Sequence, residues 1–183
     1  MAQSYKTLCD SAARLIHTGD LVLRLGNDFT SYSLAQFNQS DKTYSHCGIA
    51  SVDSAGAVFI YHAIGGEYNP DQKIKKEPAE KWFSSEHNFA LGVARFDLDS
   101  NQIRKLMATI WQYYDEGRKF DLEFDMSTDD RLYCAEMIYK AVTAAAGDSS
   151  YLPVTHALGR RFAGVDNLFI NSHTHMICQL RYK

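Results

Sequence analysis

At 183 residues, 45% of them hydrophobic and 22% charged, the chain carries enough apolar material for a full core and too much to stay disordered. Its 19 basic and 22 acidic residues leave a net charge of -3 with no long run of one sign, so nucleic acid is not an expected partner. No stretch is long and apolar enough to form a membrane-spanning helix. Cys9, Cys47, Cys134 and Cys178 are scattered with no C-x-x-C pair, which argues against a zinc knuckle or a redox dithiol; they could pair as disulfides, but a domain of this size does not need them. A single domain over 1–183 is the expectation. The N-terminus lacks a signal-peptide core, which leaves open a cytoplasmic protein or an envelope or periplasmic one whose leader was removed.

In chain order, 4–17 reads as an amphipathic helix through Tyr5, Leu8, Cys9, Ala12 and Ile16, with Cys9 on its apolar stripe. Gly19 to Gly26 reads as a short strand. The polar and aromatic stretch 27–43 reads as a surface excursion with a short helix near Ser31 to Phe37. Tyr44–Val52 and Val58–Ala63 are strand-like and joined by Asp53-Ser54-Ala55-Gly56-Ala57, a hairpin signal. Antiparallel pairing about that turn places opposite one another residues whose numbers sum to about 108 to 110. His46 and His62 therefore belong to one face, directly across or one diagonal step apart, with Cβ atoms roughly 4.5 to 8 Å from each other.

The Lys-, Glu- and Pro-containing stretch 67–81 reads as a loop, with Lys73, Lys75 and Lys76 a solvated face. A strand is expected at Ala90–Phe96, then a helix capped by Ser100, with stripe Ile103, Leu106, Met107, Ile110 and Tyr114 and a stop at Gly117. Between Thr128 and Gly147 the spacing of Cys134, Met137, Ile138, Ala141, Val142 and Ala145 gives a further helix, with Asp129 and Asp130 as charges at its start and Gly147 as its left-handed stop. Cys134 then lies in the first turn, where the positive end of the helix dipole favours a thiolate. The chain is loop-like to about Val165 and strand-like from Asn167 to Tyr182. His173 and His175 share a strand face there, a spacing that can hold a transition metal; no carboxylate or further Cys adjoins them, so a solvated pair is preferred and no metal or other cofactor is expected.

These pieces resemble the papain-like NlpC-type superfamily, in the circularly permuted branch of YiiX/YebB-like proteins and, more distantly, lecithin:retinol acyltransferase. The resemblance rests on Gly19-Asp20-Leu21-Val22, Tyr44-Ser45-His46-Cys47-Gly48-Ile49, Tyr61-His62-Ala63, Phe120-Asp121 and Tyr133-Cys134-Ala135-Glu136-Met137-Ile138. The order His before Cys marks the permutation. Ala135 stands where the family usually has Ser, Cys47 where Val is common, and His62 where near relatives often have Glu. The implied fold is α+β: a bent antiparallel sheet of about five strands packed against the cysteine helix, with two further helices around it.

The implied chemistry makes Cys134 the nucleophile, His46 its general base and acid, and His62 the group that orients His46. Tyr44, Tyr133, Tyr32 and Trp82 are candidate substrate-binding residues, with Phe29 and Tyr68 in the same flanking segments. Taken singly, a Cys at a helix start is usually a small buried hydrophobe and a strand His a satisfied core residue. Three functions follow: a bacterial cysteine hydrolase of peptide or cell-wall-type amides through an acyl-enzyme; an acyltransferase or lipid acyl hydrolase with the same pair; or a non-catalytic ligand-binding module.

Overall fold

A computed structural model describes residues 11–66, 69–157 and 159–182. In chain order the elements are β1 (Leu21–Gly26), α1 (Phe29–Ala35), β2 (His46–Val52), β3 (Val58–His62), β4 (Lys75–Pro78), α2 (Ala79–Trp82) and β5 (Asn88–Phe96). They are followed by α3 (Ser100–Asp115), α4 (Cys134–Ala146), β6 (Thr155–Ala157), β7 (Arg160–Phe162), a 3-10 turn at Asp166–Leu168 and β8 (Thr174–Arg181). Six strands form one antiparallel sheet in the order β4-β3-β2-β1-β5-β8. Register shifts at Leu25/Gly26 and Val93/Ala94 are bulges of the kind that bend a sheet.

Alternation along the strands gives each sheet face its own core. Leu21, Leu23, Cys47 and Ile49 point to one side, where Leu106, Met107 and Ile110 of α3 and Met137, Ile138, Ala141 and Val142 of α4 cover them. Val22, Ala50, Ile60, Leu91 and Val93 point to the other, against Ala79, Trp82 and Phe83. Full burial of one such aliphatic side chain stabilises the fold by about 1.5–3 kcal/mol. The β2–β3 hairpin pairs Ile49 with Tyr61 and Val52 with Val58, a constant sum of 110. Its turn is closed by Asp53 Oδ1, which accepts from the N–H groups of Ala55 and Ala57, while Gly56 takes φ 81°, a left-handed value.

The sheet has six strands where about five were expected, because 75–78 is a strand rather than loop. Its composition hides it: Lys75, Lys76 and Pro78 are the residues that protect a free sheet edge, and only Glu77 turns inward. β6 and β7 form a separate ribbon within another expected loop. α1 starts two residues before the expected Ser31, capped by Asp28, and α3 is capped by Asp99 rather than Ser100. The helix at 4–17 falls largely outside the described residues, of which 11–14 are helical, and Cys9 lies outside them too.

The largest boundary correction concerns α4, which begins at Cys134, not near Thr128. Asp129 and Asp130 are thus not charges of its first turn; Asp129 instead pairs with Lys140 at 2.7 Å. Glu136 replaces them at the helix start. It is fully buried, and its Oε2 accepts the Tyr133 N–H at 3.1 Å, while Oε1 lies 2.9 Å from Lys140 Nζ. Burial pushes its carboxyl up to about 7 against the pull of Lys140. Gly147 ends the helix with φ 71°, as its position suggests.

Candidate active site

The C-terminal ends of β1 and β3 and the N-terminal ends of β2 and β4 lie at one end of the sheet, by their registers. Arg24 stands across from His46 in the β1–β2 ladder. The hairpin register puts Gly48 opposite His62, so His46 is one diagonal step away. Glycine at 48 goes with this close approach, since a Cβ there would stand 2.5 Å from Ile60 Cγ2, 3.0 Å from Tyr61 O and 3.2 Å from His62 Cβ.

The approach brings His46 Nε2 within 2.9 Å of His62 Nδ1, the rings meeting edge to face at 5.1 Å and 78°. Both rings rest on the indole of Trp82, at 5.3 and 4.9 Å. On the far side of His62, its Nε2 lies 3.2 Å from Glu77 Oε2, a polar contact whose geometry falls short of an aligned hydrogen bond. Glu77 Oε1 is in turn 2.7 Å from Lys81 Nζ. Its contact with His62, together with Lys81, holds the Glu77 carboxyl far below the usual range despite partial burial.

At the other end of the row is Cys134, the first residue of α4 and 8% exposed. Its thiol is pulled well below its ordinary value, first by a hydrogen bond with the Cys47 thiol, then by His46 and the Ala135 N–H, against burial. Cys47 itself is pushed up, chiefly by burial. His46 retains some exposed surface as a residue, yet burial of its ring lowers it to about 4, more than the interaction with Cys134 raises it. His62 also falls to about 4, by burial. Both imidazoles are therefore neutral at neutral pH.

One proton arrangement satisfies the row. The Glu77 carboxylate faces a His62 Nε2–H, which leaves Nδ1 free to accept from His46 Nε2–H and His46 Nδ1 free to accept from the Cys134 thiol. Asp20 and Asp121, the acids of two matched motifs, serve packing instead. Asp20 binds Arg95 through both oxygens at 2.7 and 2.8 Å, and Asp121 accepts the Glu123 and Asp125 N–H groups in the segment leading to α4.

The aromatic candidates are placed otherwise than expected. Tyr44 is buried, its hydroxyl donating to Leu91 O at 3.2 Å and burial raising it to about 12. The Tyr133 hydroxyl accepts from the Ala163 N–H at 2.8 Å, also in the interior. Trp82 is fully buried and forms the floor under both histidines rather than a substrate surface. Tyr32 and Phe29 are exposed on α1, and Tyr68 lies outside the described residues. His175 contacts Asp97 at 2.9 Å while His173 stacks on Tyr151, so the two do not form a joint seat. Lys73, Lys75, Lys76 and Lys81 line a groove of about 640 Å³ on the outer side of Glu77, and a second groove of about 540 Å³ runs past Lys42, Phe89 and Arg181. Cys134 lines neither groove and is itself largely buried.

Sequence reasoning did not find Glu77 or Arg24. Glu77 was legible only through the inward position of a four-residue strand disguised as a charged loop; Arg24 only through the alternation of β1.

Fold and site together define an α+β protein whose bent six-stranded sheet carries two imidazoles and a carboxylate in a row with a thiol at the start of α4. No family model matches the chain. Over 132 residues, 71% of its length, it is 26% identical to the uncharacterized protein YiiX of Escherichia coli K12, and it spans only 59% of that relative. It is also similar to the crystal structure of the metalloprotein yiiX from Escherichia coli O157:H7, with a TM-score of 0.70, 19% identity and coverage of 91% of this chain and 98% of that one. At that identity the likeness concerns the fold. No helix among the described residues is long and apolar enough to cross a membrane.

Proposed function

We propose that the protein is a cysteine hydrolase acting on amide or related acyl bonds of small substrates, by way of a thioester on Cys134. The observation that carries this reading is the row from Cys134 through His46 and His62 to Glu77. His46 Nδ1 takes the thiol proton as Sγ attacks the carbonyl carbon, and returns it to the leaving amine as the tetrahedral intermediate collapses to the acyl-enzyme. Water, deprotonated by the same nitrogen, then releases the acid. The amides at the start of α4, which the helix leaves without carbonyl partners of its own, are the donors for the oxyanion; Ala135 adds no hydroxyl to them. The order of His46 and Cys134 supports a permuted NlpC-type connectivity.

A second reading, acyl transfer or lipid acyl hydrolysis, is favoured by the exposed Phe29, Tyr32 and Phe37 around α1. The yiiX protein of Escherichia coli O157:H7 is described as a metalloprotein. In this chain, no three His, Cys, Asp or Glu side chains among the described residues are grouped to hold a metal ion, and His46 Nε2 and His62 Nδ1 are engaged with each other. The steps above use only the chain's own groups. Incubation with p-nitrophenyl acetate, followed by mass spectrometry, should give an acetyl group on Cys134 that forms and decays more slowly in His46→Ala. Acetylation of surface lysines alone would refute the hydrolase reading.

A further inference from the structure

The row leaves one strong group at the site unused. Arg24 lies beside His46 on the same sheet face, half-buried, with its guanidinium 4.4 Å over the Trp82 ring that also supports both histidines. Its side chain makes no hydrogen bond or ion pair with any described residue. Other arginines are engaged: Arg95 with Asp20, Arg118 with Glu116 and Asp129 O, Arg161 with Tyr139. The two acids whose charges reach Arg24 are already committed, Asp28 to Ser31 at the cap of α1 and Glu77 to Lys81 and His62. Burial depresses the guanidinium from its ordinary value, but that value is so high that it stays charged.

A partly desolvated guanidinium with five unspent donors is costly to keep, and stacking on an indole leaves its N–H edges free in the plane. Those edges suit a bidentate anion. With Asp28, Glu77 and the Cys134 sulfur all nearby, a singly charged carboxylate is tolerated better than a phosphate dianion.

We propose that Arg24 is the recognition residue of this site and binds a carboxylate of the substrate close to the carbonyl that Cys134 attacks. The substrate class is then an acylated amino acid or short peptide with a free carboxylate beside the scissile bond. This rests on the reading of Cys134 as nucleophile.

Two alkylating agents of similar size, one anionic and one neutral, test it on the intact protein. Iodoacetate carries the carboxylate and iodoacetamide does not, so the ratio of their rates at Cys134, taken within each variant, cancels changes in thiol reactivity. The ratio should fall roughly tenfold or more from the native protein to Arg24→Gln, the worth of one charge-assisted hydrogen bond. It should fall less in Arg24→Lys, and acetate should protect the native thiol from iodoacetate. An equal ratio in native and Arg24→Gln proteins of matching circular dichroism overturns the proposal. So does protection by methyl phosphate but not by acetate, which would make the ligand a phosphate. If Cys134 reacts with neither reagent, the nucleophile reading fails, and calorimetry on Cys134→Ser still reads the anion site. There N-acetylglycine should bind more tightly than N-acetylglycinamide, with the difference abolished by Arg24→Gln; equal binding of the two overturns the proposal.

Discussion

Replacing Glu77 by Gln probes the end of the row farthest from the sulfur. The change keeps size and shape but removes the negative charge that selects the His62 Nε2–H tautomer. His62 has no exposed surface, so water cannot substitute for the carboxylate. A hydrogen bond to a charged group is worth about 1.5–3 kcal/mol when solvent is excluded. The contact here, at 3.2 Å and off-axis, belongs at the low end. About 1.5 kcal/mol corresponds to a rate loss of roughly tenfold. The loss should fall on kcat for p-nitrophenyl acetate with KM little changed, because Glu77 acts through two imidazoles and touches no substrate. The new amide also presents a donor to His62, which favours the opposite tautomer and leaves His46 Nδ1 protonated against the thiol. The pH profile should therefore change shape as well as height. A Glu77→Gln protein with native kcat and an unaltered profile from acid to neutral pH would refute the role given to the carboxylate.

Three other outcomes follow from the same geometry. Folded His62 declines the proton that the unfolded chain accepts below about 6.5, so its contribution to stability is complete above that pH and is lost as the pH falls toward about 4. The full difference is on the order of 3 kcal/mol, and urea unfolding across this range should show a steeper decline in the native protein than in His62→Asn; parallel curves would contradict a buried neutral imidazole. Gly48→Ala forces β3 away from β2, which should cost about 1–3 kcal/mol in thermal or urea unfolding and slow alkylation of Cys134; an unchanged protein would mean that the close approach is not needed. Cys47→Val removes the first of the donors to the Cys134 sulfur, so the midpoint of its alkylation against pH should rise by about one unit, and a midpoint that stays put would show that His46 and the helix start suffice.

How much of this was legible in the sequence depends on the range of the interaction. The two-histidine contact follows from a five-residue hairpin turn and the two-residue period of strands, both local, and the observed sum of 110 matches it. The apolar stripe of α4 and its glycine stop are equally local. Its start was misjudged by several residues because Asp129 and Asp130 look like caps, whereas Glu136 from inside the first turn provides the capping oxygen. Tyr44 and Trp82 show the limit of reasoning from proximity in sequence. Both flank the site, but Tyr44 points to the α4 side of the sheet and Trp82 packs beneath the histidines, choices fixed by strand pairing and by α2. Glu77 was invisible because an edge strand is built from the same residues as a solvated loop.

The central claim is that Cys134 and His46 act as a pair, and the pH dependence of iodoacetamide labelling measures it most directly. In the native protein Cys134 should label faster than Cys9, Cys47 and Cys178, with a midpoint well below the ordinary thiol value near 8.5 that moves up toward it in His46→Ala. Labelling no faster than the other three cysteines, and indifferent to His46, would contradict the account and leave a buried cysteine without a catalytic partner.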